Sequence, residues 1–500
     1  MISLTPARAA TLIELAAELA RLLLKSSQPP RELASTYLHQ QKRLDGTERQ
    51  FVSSATHHAL RVWRFARACG NGVTGDVDLR PSVDETQTVT AAALLLSLRG
   101  FVPPFDDGEI EGAAGTAVED ACIAILKRRS TDGVESLLLR AEDWQSACIS
   151  AEAVFAPMVS GLGESTSAAG EETTMPEDAW GEAVAVRWSL PDWVVRSWRE
   201  HQPPFSFADI SELGRGLCAA APLVLRTNRM RGEREALLSA LREAGITATA
   251  HAILPDAVIS ERRPLMESHW YEDGLFEIQD AGSQLIVLGC GVTAGMNIMD
   301  ACAGGGGKTM QLADTMRDQG SIVACDIERH KLRGLEQRGK RLALGSIRTL
   351  ALTPVGMRTD GREPFDPDMK FDCVLVDAPC SGFGTVRRHP ALKWRLTEKT
   401  VARLAERQAA ILARNAAYVK AGGILLYATC SLLPQENSAN VRRFLEKHDD
   451  FSLDPLAPQL LDAGVSLREL HADSGELLLS PTLLDSDGFY MARLCRDTSS

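Results

Sequence analysis

A short apolar run that ends abruptly in polar residues places the tightest limit on how this chain can fold. Residues 373–376 read Cys-Val-Leu-Val, and Asp377-Ala-Pro-Cys380-Ser-Gly follows at once. Such a run is typical of a strand that is buried on both faces of a parallel sheet. A carboxylate and a thiol therefore stand at the carboxyl end of a predicted strand, where ligands bind in open α/β sheets.

A second predicted strand ends in the same way. Gly422-Gly423 is predicted to end a helix, residues 424–427 form the next strand, and Ala-Thr-Cys430-Ser follows. A lone cysteine is most often a small buried hydrophobe. Two cysteines at the tips of neighbouring strands, each followed by serine, favour a chemical role instead.

A glycine-rich turn lies upstream, between a strand at residues 298–300 and a helix that starts near Lys308. Its glycines, Gly304 to Gly307, remove every Cβ that would hold a ligand away from the backbone N–H groups at the helix N-terminus. Such a turn suits a carboxylate as well as a phosphate. A Walker A loop is excluded, because that motif requires glycine where Cys302 stands.

The next strand, residues 321–326, ends in Asp326. An acid about 20 residues past the glycines is where Rossmann-like folds hydrogen-bond the hydroxyls of a ribose. The alternative role is a cap for the helix predicted at 328–344. The sequence leaves both roles open.

The motifs around the two cysteines resemble those of a known family. The first is Asp377-Ala-Pro-Cys380-Ser-Gly with Arg387-Arg388-His389-Pro390 and Lys393-Trp394, and the second is Tyr427-Ala-Thr-Cys430-Ser with Glu436-Asn437. Together they resemble the two signatures of the RsmB/Sun/Fmu family of RNA cytosine-C5 methyltransferases. The resemblance is strong over residues 279–494 and implies a Rossmann-like α/β methyltransferase domain that uses S-adenosylmethionine.

The resemblance also implies roles for single residues. Cys430 is expected to attack C6 of the cytosine, Cys380 to assist release of the enzyme, and Asp377 to hold the N3 edge of the base and to contact the cofactor. The other expected cofactor contacts are Cys302, Ala303, Gly304, Gly305, Gly306, Gly307, Lys308 and Asp326. The expected RNA contacts are Arg387, Arg388, Lys393 and Trp394.

Two positions depart from the family pattern. Many members carry an acid after the third strand that contacts the adenine, but here residues 350–352 lead into Thr353-Pro354, and Asp360 is the nearest candidate to replace it. The turn reads Ala303-Gly304-Gly305 where many relatives have Ala-Pro-Gly, which loses the rigid φ of proline.

Four segments are predicted along the chain. Residues 1–158 form a helical domain with a weak resemblance to NusB-like RNA-binding modules, and 159–185 form an acidic flexible linker. Residues 186–265 form a small α+β subdomain, in which Arg226, Asn228 and Arg229 are candidates for RNA backbone contacts. Residues 266–500 form the methyltransferase domain.

Composition limits the partners. A net charge of −12 is unfavourable for a nucleic-acid enzyme, but residues 329–348 and 387–407 are locally basic and flank the proposed site. The alternative is that these cations only solvate helix surfaces. Both thiols are present, which argues against a non-catalytic RNA-binding assembly factor. A DNA cytosine methyltransferase lacks a counterpart of the Thr429-Cys430-Ser431 motif.

The remaining predictions concern compartment and assembly. Eleven cysteines stand singly, with no C-x-x-C pair, so neither a metal site nor a disulfide framework is expected. No apolar run reaches the ~20 residues that span a bilayer. Glu14 and Glu18 argue against a signal or transit peptide. We expect a cytoplasmic monomer whose substrate is RNA, with ribosomal RNA favoured by the resemblance.

Overall fold

The computed structural model describes residues 5–26, 28, 30–71, 81–98, 113–129, 141, 181, 184–261, 265–358, 360–366, 368–467 and 470–498. The chain divides into two compact units. The helical unit comprises Met1–Ala220 and Thr385–Thr397, and the sheet unit comprises Ala221–Gly384 and Glu398–Ser500.

The described helices are α1 Pro6–Lys25, α2 Pro30–Gln40, α3 Gly46–Arg61, α4 Trp63–Asn71, α5 Val83–Leu98, α6 Ala113–Arg129, α7 Asp192–Arg199, α8 Phe207–Cys218, α9 Arg234–Glu243, α10 His269–Glu272, α11 Ala281–Gly289, α12 Gly307–Thr315, α13 Arg329–Arg341, α14 Ala391–Arg395, α15 Glu398–Ala416, α16 Ser438–Leu445 and α17 Ala457–Asp462. The described strands are β1 Leu223–Thr227, β2 Ala248–Ala250, β3 Ala257–Ser260, β4 Phe276–Ile278, β5 Asn297–Asp300, β6 Ser321–Asp326, β7 Ile347–Ala351, β8 Phe371–Asp377, β9 Val419–Thr429, β10 Phe451–Leu453, β11 Glu476–Leu479 and β12 Phe489–Arg496.

The helical unit packs around α1. Thr5 caps this helix by accepting from the N–H of Arg8, and Leu12, Leu19 and Leu23 on one side of it are fully buried. They share one apolar core with α3, α5 and α6. The predicted flexible linker at 159–185 lies outside the described residues, apart from 181, 184 and 185.

A four-stranded antiparallel sheet begins the sheet unit, in the order β2-β3-β1-β4. Leucines of α9, among them Leu237 and Leu241, pack with its strands in one apolar cluster. Two boundaries differ from the predicted subdomain at 186–265. The fourth strand lies beyond residue 265, and α7 and α8 group with the helical unit.

The larger sheet has the order β10-β12-β9-β8-β5-β6-β7, and β11 also pairs with β12. Strands β5 to β9 run parallel, whereas β12 is antiparallel to its neighbours. Successive residues of β5 point to opposite faces: Ile298 packs in the cluster that holds α11 and α12, and Met299 in the cluster that holds α15. This arrangement confirms the predicted fold class.

The order of strand addition reverses between β5 and β8. Strands β6 and β7 extend the sheet on one side of β5, and β8 and β9 extend it on the other. Such a switch point leaves a crevice at the carboxyl ends of the strands.

The predicted helix stop at Gly422-Gly423 is wrong. Helix α15 ends at Ala416, and both glycines lie inside β9. Gly422 has a φ of +71°, and the pairing of β9 with β8 shifts register between Phe371 and Cys373. The glycines therefore mark an irregularity within the strand rather than its start.

Candidate active site

A cavity of about 360 Å³ opens at the carboxyl edge of the parallel strands. Residues that follow β5, β6, β8 and β9 line it, because parallel strands bring their carboxyl ends to one edge of a sheet. The predicted site residues on its walls are Cys302, Gly304, Asp326, Asp377, Cys380 and Cys430. The fold thus brings the glycine loop, the acid after β6 and both cysteine motifs to one cavity.

Two glycines with left-handed backbone shape the loop between β5 and α12. Gly304 has a φ of 53°, and Gly306, the N-cap of α12, has a φ of 84°. A Cβ at Gly306 would lie 2.3 Å from Cγ of Leu335 on α13. A Cβ at Gly304 would meet no atom within 4 Å, so bare backbone faces open space there. Bare backbone that leads into a helix N-terminus suits an anionic group of a ligand.

The two residues that begin the loop are held by the sheet. The N–H of Ala303 donates to the carbonyl of Cys325 at 2.9 Å. Cys302 lines the cavity, and burial raises the pKa of its thiol, so it remains protonated at neutral pH. Its role here is to form part of the cavity wall.

Asp326 ties the end of β6 to the glycine loop. Its Oδ2 accepts from the N–H of Gly304 and its Oδ1 from the N–H of Glu328, both at 2.7 Å. The N-cap position of α13 is Glu328, so the alternative in which Asp326 caps this helix is wrong. Because each carboxyl oxygen has a second lone pair, Asp326 still has capacity to accept from a ligand hydroxyl.

Lys308 and Asp377 form a salt bridge at the switch point. Nζ of Lys308 donates to Oδ2 of Asp377 at 2.7 Å, and the two side chains are 11% and 30% exposed. Burial opposes the charge on Lys308, but the attraction of Asp377, with smaller contributions from Cys430 and Asp300, outweighs it and raises the pKa of the ammonium. Lys308 therefore presents a permanent positive charge near the thiol of Cys430.

Asp300 is buried behind the glycine loop. Its Oδ2 accepts from the hydroxyl of Thr309 at 2.7 Å, and its Oδ1 has no hydrogen-bond partner among the described residues. Burial raises the pKa of Asp300 to about 7. This carboxyl group therefore titrates near neutral pH, which the sequence did not indicate.

The two predicted catalytic thiols lie in contact. Sγ of Cys380 is 3.3 Å from Sγ of Cys430, beyond the ends of the adjacent strands β8 and β9. The hydrogen bond to Cys430, together with burial, raises the pKa of Cys380 well above its ordinary value. The two sulfurs therefore lie within hydrogen-bond distance, and either thiol can act as the donor.

Glu436, to which the sequence assigned no role, connects the two cysteine loops. Its carboxyl group is fully buried. Oε2 accepts from the hydroxyls of Ser381 and Ser431 at 2.5 Å each, and Oε1 accepts from the N–H of Ser381 at 2.8 Å. These serines directly follow Cys380 and Cys430. One carboxyl group therefore fixes the positions of both thiols.

A second layer of polar groups holds Glu436. Nε2 of Gln408 on α15 donates to Oε1 of Glu436 at 2.9 Å and to the carbonyl of Pro379 at 3.1 Å. The hydroxyl of Tyr427 donates to the backbone carbonyl of Glu436 at 2.6 Å. Glu436 lies six residues after Cys430 in the second motif, and its place in that motif was the sequence signal that could have identified it.

Apolar residues replace the acid that the family pattern places after the third strand. This wall of the cavity is formed by Ile327, Leu352, Thr353 and Pro354. The candidate replacement, Asp360, is not on the cavity wall. Its carboxyl group accepts from the N–H of Arg362 and lies 3.6 Å from Nε of Arg358.

The predicted RNA-binding residues lie in the helical unit, and three of them are buried there. Arg387 and Lys393 are 0% exposed and Trp394 is 7% exposed. Lys393 Nζ donates to the carbonyl of Arg61 at 2.8 Å, and burial lowers the pKa of this lysine. Trp394 Nε1 donates to the carbonyl of Leu60 at 2.9 Å.

These contacts correct the predicted role of the segment. Arg61 Nε donates to the carbonyl of Arg387 at 2.8 Å, and the guanidinium of Arg387 donates to the carbonyl of Ala220. Arg387, Lys393 and Trp394 therefore anchor residues 385–397 to the helical unit and are not accessible to RNA. Arg388 is half-buried and is the one member of the predicted set that is partly exposed.

The candidates for RNA contact in and just after β1 are engaged in internal contacts, and two of the three are buried. Arg226 is 1% exposed and forms a salt bridge with Asp314 at 2.6 Å. Asn228 is buried and donates to the carbonyl of Gly274 at 2.8 Å. Arg229 pairs with Asp256 at 2.7 Å. The bond of Arg226 to Asp314 on α12 joins the small sheet to the methyltransferase sheet, and the bonds of Asn228 and Arg229 lie within the small-sheet region.

The described residues contain no group of three or more His, Cys, Asp or Glu side chains placed to hold a metal ion. No described helix combines the length and the apolar character needed to cross a membrane.

The chain is similar to known proteins in both sequence and structure. The family model "16S rRNA methyltransferase RsmB/F" matches residues 292–495, and a ferredoxin-like domain of RsmF/B-like methyltransferases matches residues 190–264. The probable ribosomal RNA small subunit methyltransferase B of Bacillus subtilis is 32% identical over 311 residues, 62% of this chain and 67% of that protein. The chain belongs to the RsmB/F methyltransferase family. The probable methyltransferase B of Synechocystis is 33% identical over 319 residues, 62% of this chain and 68% of that protein.

Solved structures show that the fold is shared. The crystal structure of PH0851 has a TM-score of 0.64 at 20% identity and covers 99% of each chain. The structure of NSun6 from Pyrococcus horikoshii with SFG has a TM-score of 0.51 at 19% identity, covering 61% of this chain and 98% of that one.

Membership in the RsmB/F family confirms the predicted cofactor, S-adenosylmethionine. The cavity fits this molecule in two respects. Bare backbone at Gly304 and the N-terminus of α12 would hold its carboxylate, and the carboxyl group of Asp326 would accept from the ribose hydroxyls. Ile327, Leu352 and Pro354 on the cavity wall offer apolar contacts to an aromatic base, beside the charged groups of Glu328 and Lys331.

Proposed function

We propose that this RsmB/F family member methylates C5 of cytosine in RNA through a covalent adduct between Cys430 and C6 of the base. The contact of 3.3 Å between the sulfurs of Cys380 and Cys430 beside the cofactor cavity carries this proposal. Two thiols at one point of a ligand cavity are what a cycle of thiol addition and elimination requires.

Cytosine C5 is too weak a nucleophile to react unaided. Addition of the Cys430 thiolate to C6 forms a C–S bond and moves the C5–C6 π electrons toward C5, which becomes an enamine carbon. Bound S-adenosylmethionine supplies an electrophilic methyl group to that carbon. Addition requires Cys430 to lose its proton to solvent, and the ammonium of Lys308, which interacts electrostatically with Cys430, supplies positive charge nearby.

Release requires the C5 proton to leave and the C6–S bond to break, which restores the aromatic ring and the Cys430 thiolate. The pKa of Cys380 is raised chiefly by its hydrogen bond to Cys430. Once the sulfur of Cys430 is bonded to carbon it no longer carries negative charge, and this cause of the raised pKa weakens. Cys380 then loses its own proton to solvent and, as the thiolate, accepts the C5 proton while the C6–S bond breaks, so the two thiols act in sequence.

Asp377 is proposed to hold the base. Its Oδ2 is already bonded to Lys308, which leaves Oδ1 to face the N3 edge of cytosine. A proton that N3 takes up from solvent is held by this carboxylate; it draws electrons from C6, assists the addition of the thiolate, and returns to solvent when the enzyme is released.

The choice of RNA rests on the relatives, which are named ribosomal RNA small subunit methyltransferases. We propose ribosomal RNA as the substrate, with the target base unstacked from a loop or bulge so that it can enter the cavity. The helical unit is proposed to add affinity for RNA without contributing to chemistry.

Separate substitutions of the two thiols test the proposal. In Cys430→Ala no C6 adduct can form, so both methylation and covalent enzyme–RNA species should vanish. In Cys380→Ala, addition and methyl transfer proceed but elimination stalls, and a cofactor-dependent complex that survives denaturing electrophoresis should accumulate. Cys495→Ala, a half-buried cysteine on β12 away from the cavity, is the matched control and should behave as wild type.

Three outcomes would contradict parts of the proposal. An adduct with Cys430→Ala and none with Cys380→Ala would make Cys380 the nucleophile. Unchanged methylation in both variants would make the thiols packing residues. RNA binding by the wild type without any 5-methylcytosine, assayed by bisulfite sequencing, would favour a non-catalytic RNA-binding protein, and modification of DNA alone would favour a DNA methyltransferase.

A further inference from the structure

A basic face on α15 leads to the two thiols. It consists of Lys399, Arg403, Arg407 and Arg414. We propose that this basic face binds the phosphates of a single-stranded RNA segment and guides the target nucleotide into the cavity. The inference rests on the proposed function and extends it by naming the path of the RNA.

The four cations lie on one side of the helix. At 100° per residue they fall within an arc of about 80°, and from Lys399 to Arg414 they extend about 22 Å along the axis. Lys399, Arg403 and Arg407 are exposed and Arg414 is half-buried. Within the described part of the chain, none of the four side chains forms an ion pair.

The opposite side of α15 is buried within the sheet unit. Val401, Gln408 and Leu412 are 1%, 0% and 0% exposed. Gln408 is fixed by its bonds to Glu436 and Pro379, so α15 cannot rotate without breaking the connection between the cysteine loops. The direction in which the basic face points is therefore set by the same contacts that position the thiols.

One end of the basic face reaches the cavity. Arg407 and Arg414 line it together with Cys380 and Cys430. A Cβ at Gly356 would lie 2.4 Å from Cζ of Arg414, so the guanidinium of Arg414 packs directly on this glycine. Two guanidinium groups thus stand at the point where the target nucleotide would enter.

The other end of the basic face borders a second groove, of about 560 Å³, which Lys399 and Arg403 line together with Arg443. Glu406 also lies here, but its carboxyl group is paired with Nη1 of Arg443 at 2.5 Å. The groove therefore keeps a positive balance from Lys399 and Arg403. It continues the path of the backbone away from the thiols.

The contrast between the negative net charge of the chain and the basic face on α15 favours RNA as the occupant of this face. With 54 lysines and arginines against 66 acidic residues, the net charge of the chain opposes a polyanion, so binding one requires a local concentration of cations. A base that must enter the cavity has to be unpaired, so the backbone beside it is single-stranded. A row of cations that ends at the reactive thiols matches such a strand.

The test is the salt dependence of RNA binding by the full-length Lys399→Ala/Arg403→Ala variant, which leaves the cavity-lining arginines intact. The probe is a short labelled single-stranded oligoribonucleotide with one central cytosine. Each phosphate contact in a single strand contributes about 0.7 to the slope of log K against log salt, so the slope should fall by about 1.4. The KM for RNA should rise about tenfold at low salt, with kcat at saturating RNA and affinity for S-adenosylmethionine unchanged.

The control is Arg333→Ala/Lys340→Ala, which removes the same charge from exposed positions on α13 outside the cavity wall. It should keep the wild-type slope. Equal slopes for the α15 variant and the wild type, with methylation intact in both, would overturn the basic face and leave the proposed function standing. A reduced slope in a protein that never produces 5-methylcytosine would overturn the proposed function and leave the basic face standing.

Discussion

Replacing Glu436 by glutamine is expected to loosen the contact between the two thiols while leaving the cofactor cavity intact. The substitution keeps the shape of the side chain but turns one carboxyl oxygen into an NH₂ group. One carboxyl oxygen, Oε2, accepts from the hydroxyls of Ser381 and Ser431 at 2.5 Å. The other, Oε1, accepts from the N–H groups of Ser381 and Gln408 at 2.8 and 2.9 Å. Whichever way the amide turns, one pair of donors loses its acceptor.

The magnitude follows from these bonds. Hydrogen bonds to a charged group contribute about 1.5–3 kcal/mol each, against about 1 kcal/mol for neutral pairs. The hydroxyls of Ser381 and Ser431 already accept from the N–H groups of Phe383 and Leu433 at 3.2 Å, so they cannot simply reverse their roles at no cost. We expect the free energy of unfolding to fall by about 2–4 kcal/mol.

The effect on catalysis is expected to exceed the effect on folding. A misplacement of reacting groups by about 1 Å costs on the order of 100-fold in rate. Because Glu436 is not on the cavity wall, the affinity for S-adenosylmethionine should stay unchanged, as should the KM for RNA. The signature of a positioning residue is therefore a kcat that falls about 100-fold in a protein that still binds both substrates.

The assay is steady-state methylation of RNA together with thermal unfolding of the same samples. Glu336→Gln is the control, since its carboxyl group also accepts a hydroxyl, that of Thr349, but on the exposed side of α13. Single Ser381→Ala and Ser431→Ala variants should each reproduce part of the loss. If kcat in Glu436→Gln falls no further than the unfolded fraction explains, the carboxyl group stabilises the fold and does not position the thiols.

Three further predictions concern the cofactor loop. Asp326→Ala should weaken binding of S-adenosylmethionine by about 1–3 kcal/mol, measured by calorimetry, and an unchanged affinity in a folded variant would remove Asp326 from the site. The pKa of Asp300 is raised from 3.8 to about 7, so folding takes up a proton between these values, and stability from this group is lost as the pH rises through 7. Over this window the unfolding free energy of the wild type should change by on the order of 4 kcal/mol at most, and Asp300→Asn should abolish the change. A wild-type unfolding free energy that does not change over the window would refute the prediction. Gly306→Ala should lower the melting temperature and the cofactor affinity, because the new Cβ would lie 2.3 Å from Leu335. The control is Gly295→Ala, which has a φ of +90° and open space around it and should lose only the stability that its backbone conformation costs. Equal losses in the two variants would refute the steric argument.

Much of the sheet edge that borders the cavity was predictable, because short runs of contiguous residues form it. Strand β6 has the predicted bounds, and the strand ends at Asp300, Asp326 and Asp377 were correctly placed. An apolar run followed by polar residues identifies the end of a strand from local sequence alone. The carboxyl ends of parallel strands then lie at one edge of the sheet. The cofactor and the family followed from these motifs.

Burial of charged side chains could not be read in the same way. Arg387 and Lys393 follow a cysteine motif and carry the charges that RNA needs, yet both are enclosed by helices that lie far away in sequence. Whether a cation is solvated or satisfied by backbone carbonyls depends on which distant segment covers it. Only the folded chain shows that residues 385–397 are anchored within the helical unit and that exposed cations lie on α15.

The sequence alone determined the fold class, the glycine loop and the two thiols, since each depends on local pattern and residue type. The tertiary structure decided how they work together. It set the 3.3 Å distance between Cys380 and Cys430, and it showed that Glu436, a member of the second motif with no role assigned from sequence, holds both loops. Distances between elements depend on packing across the whole sheet, and no short stretch of sequence contains them.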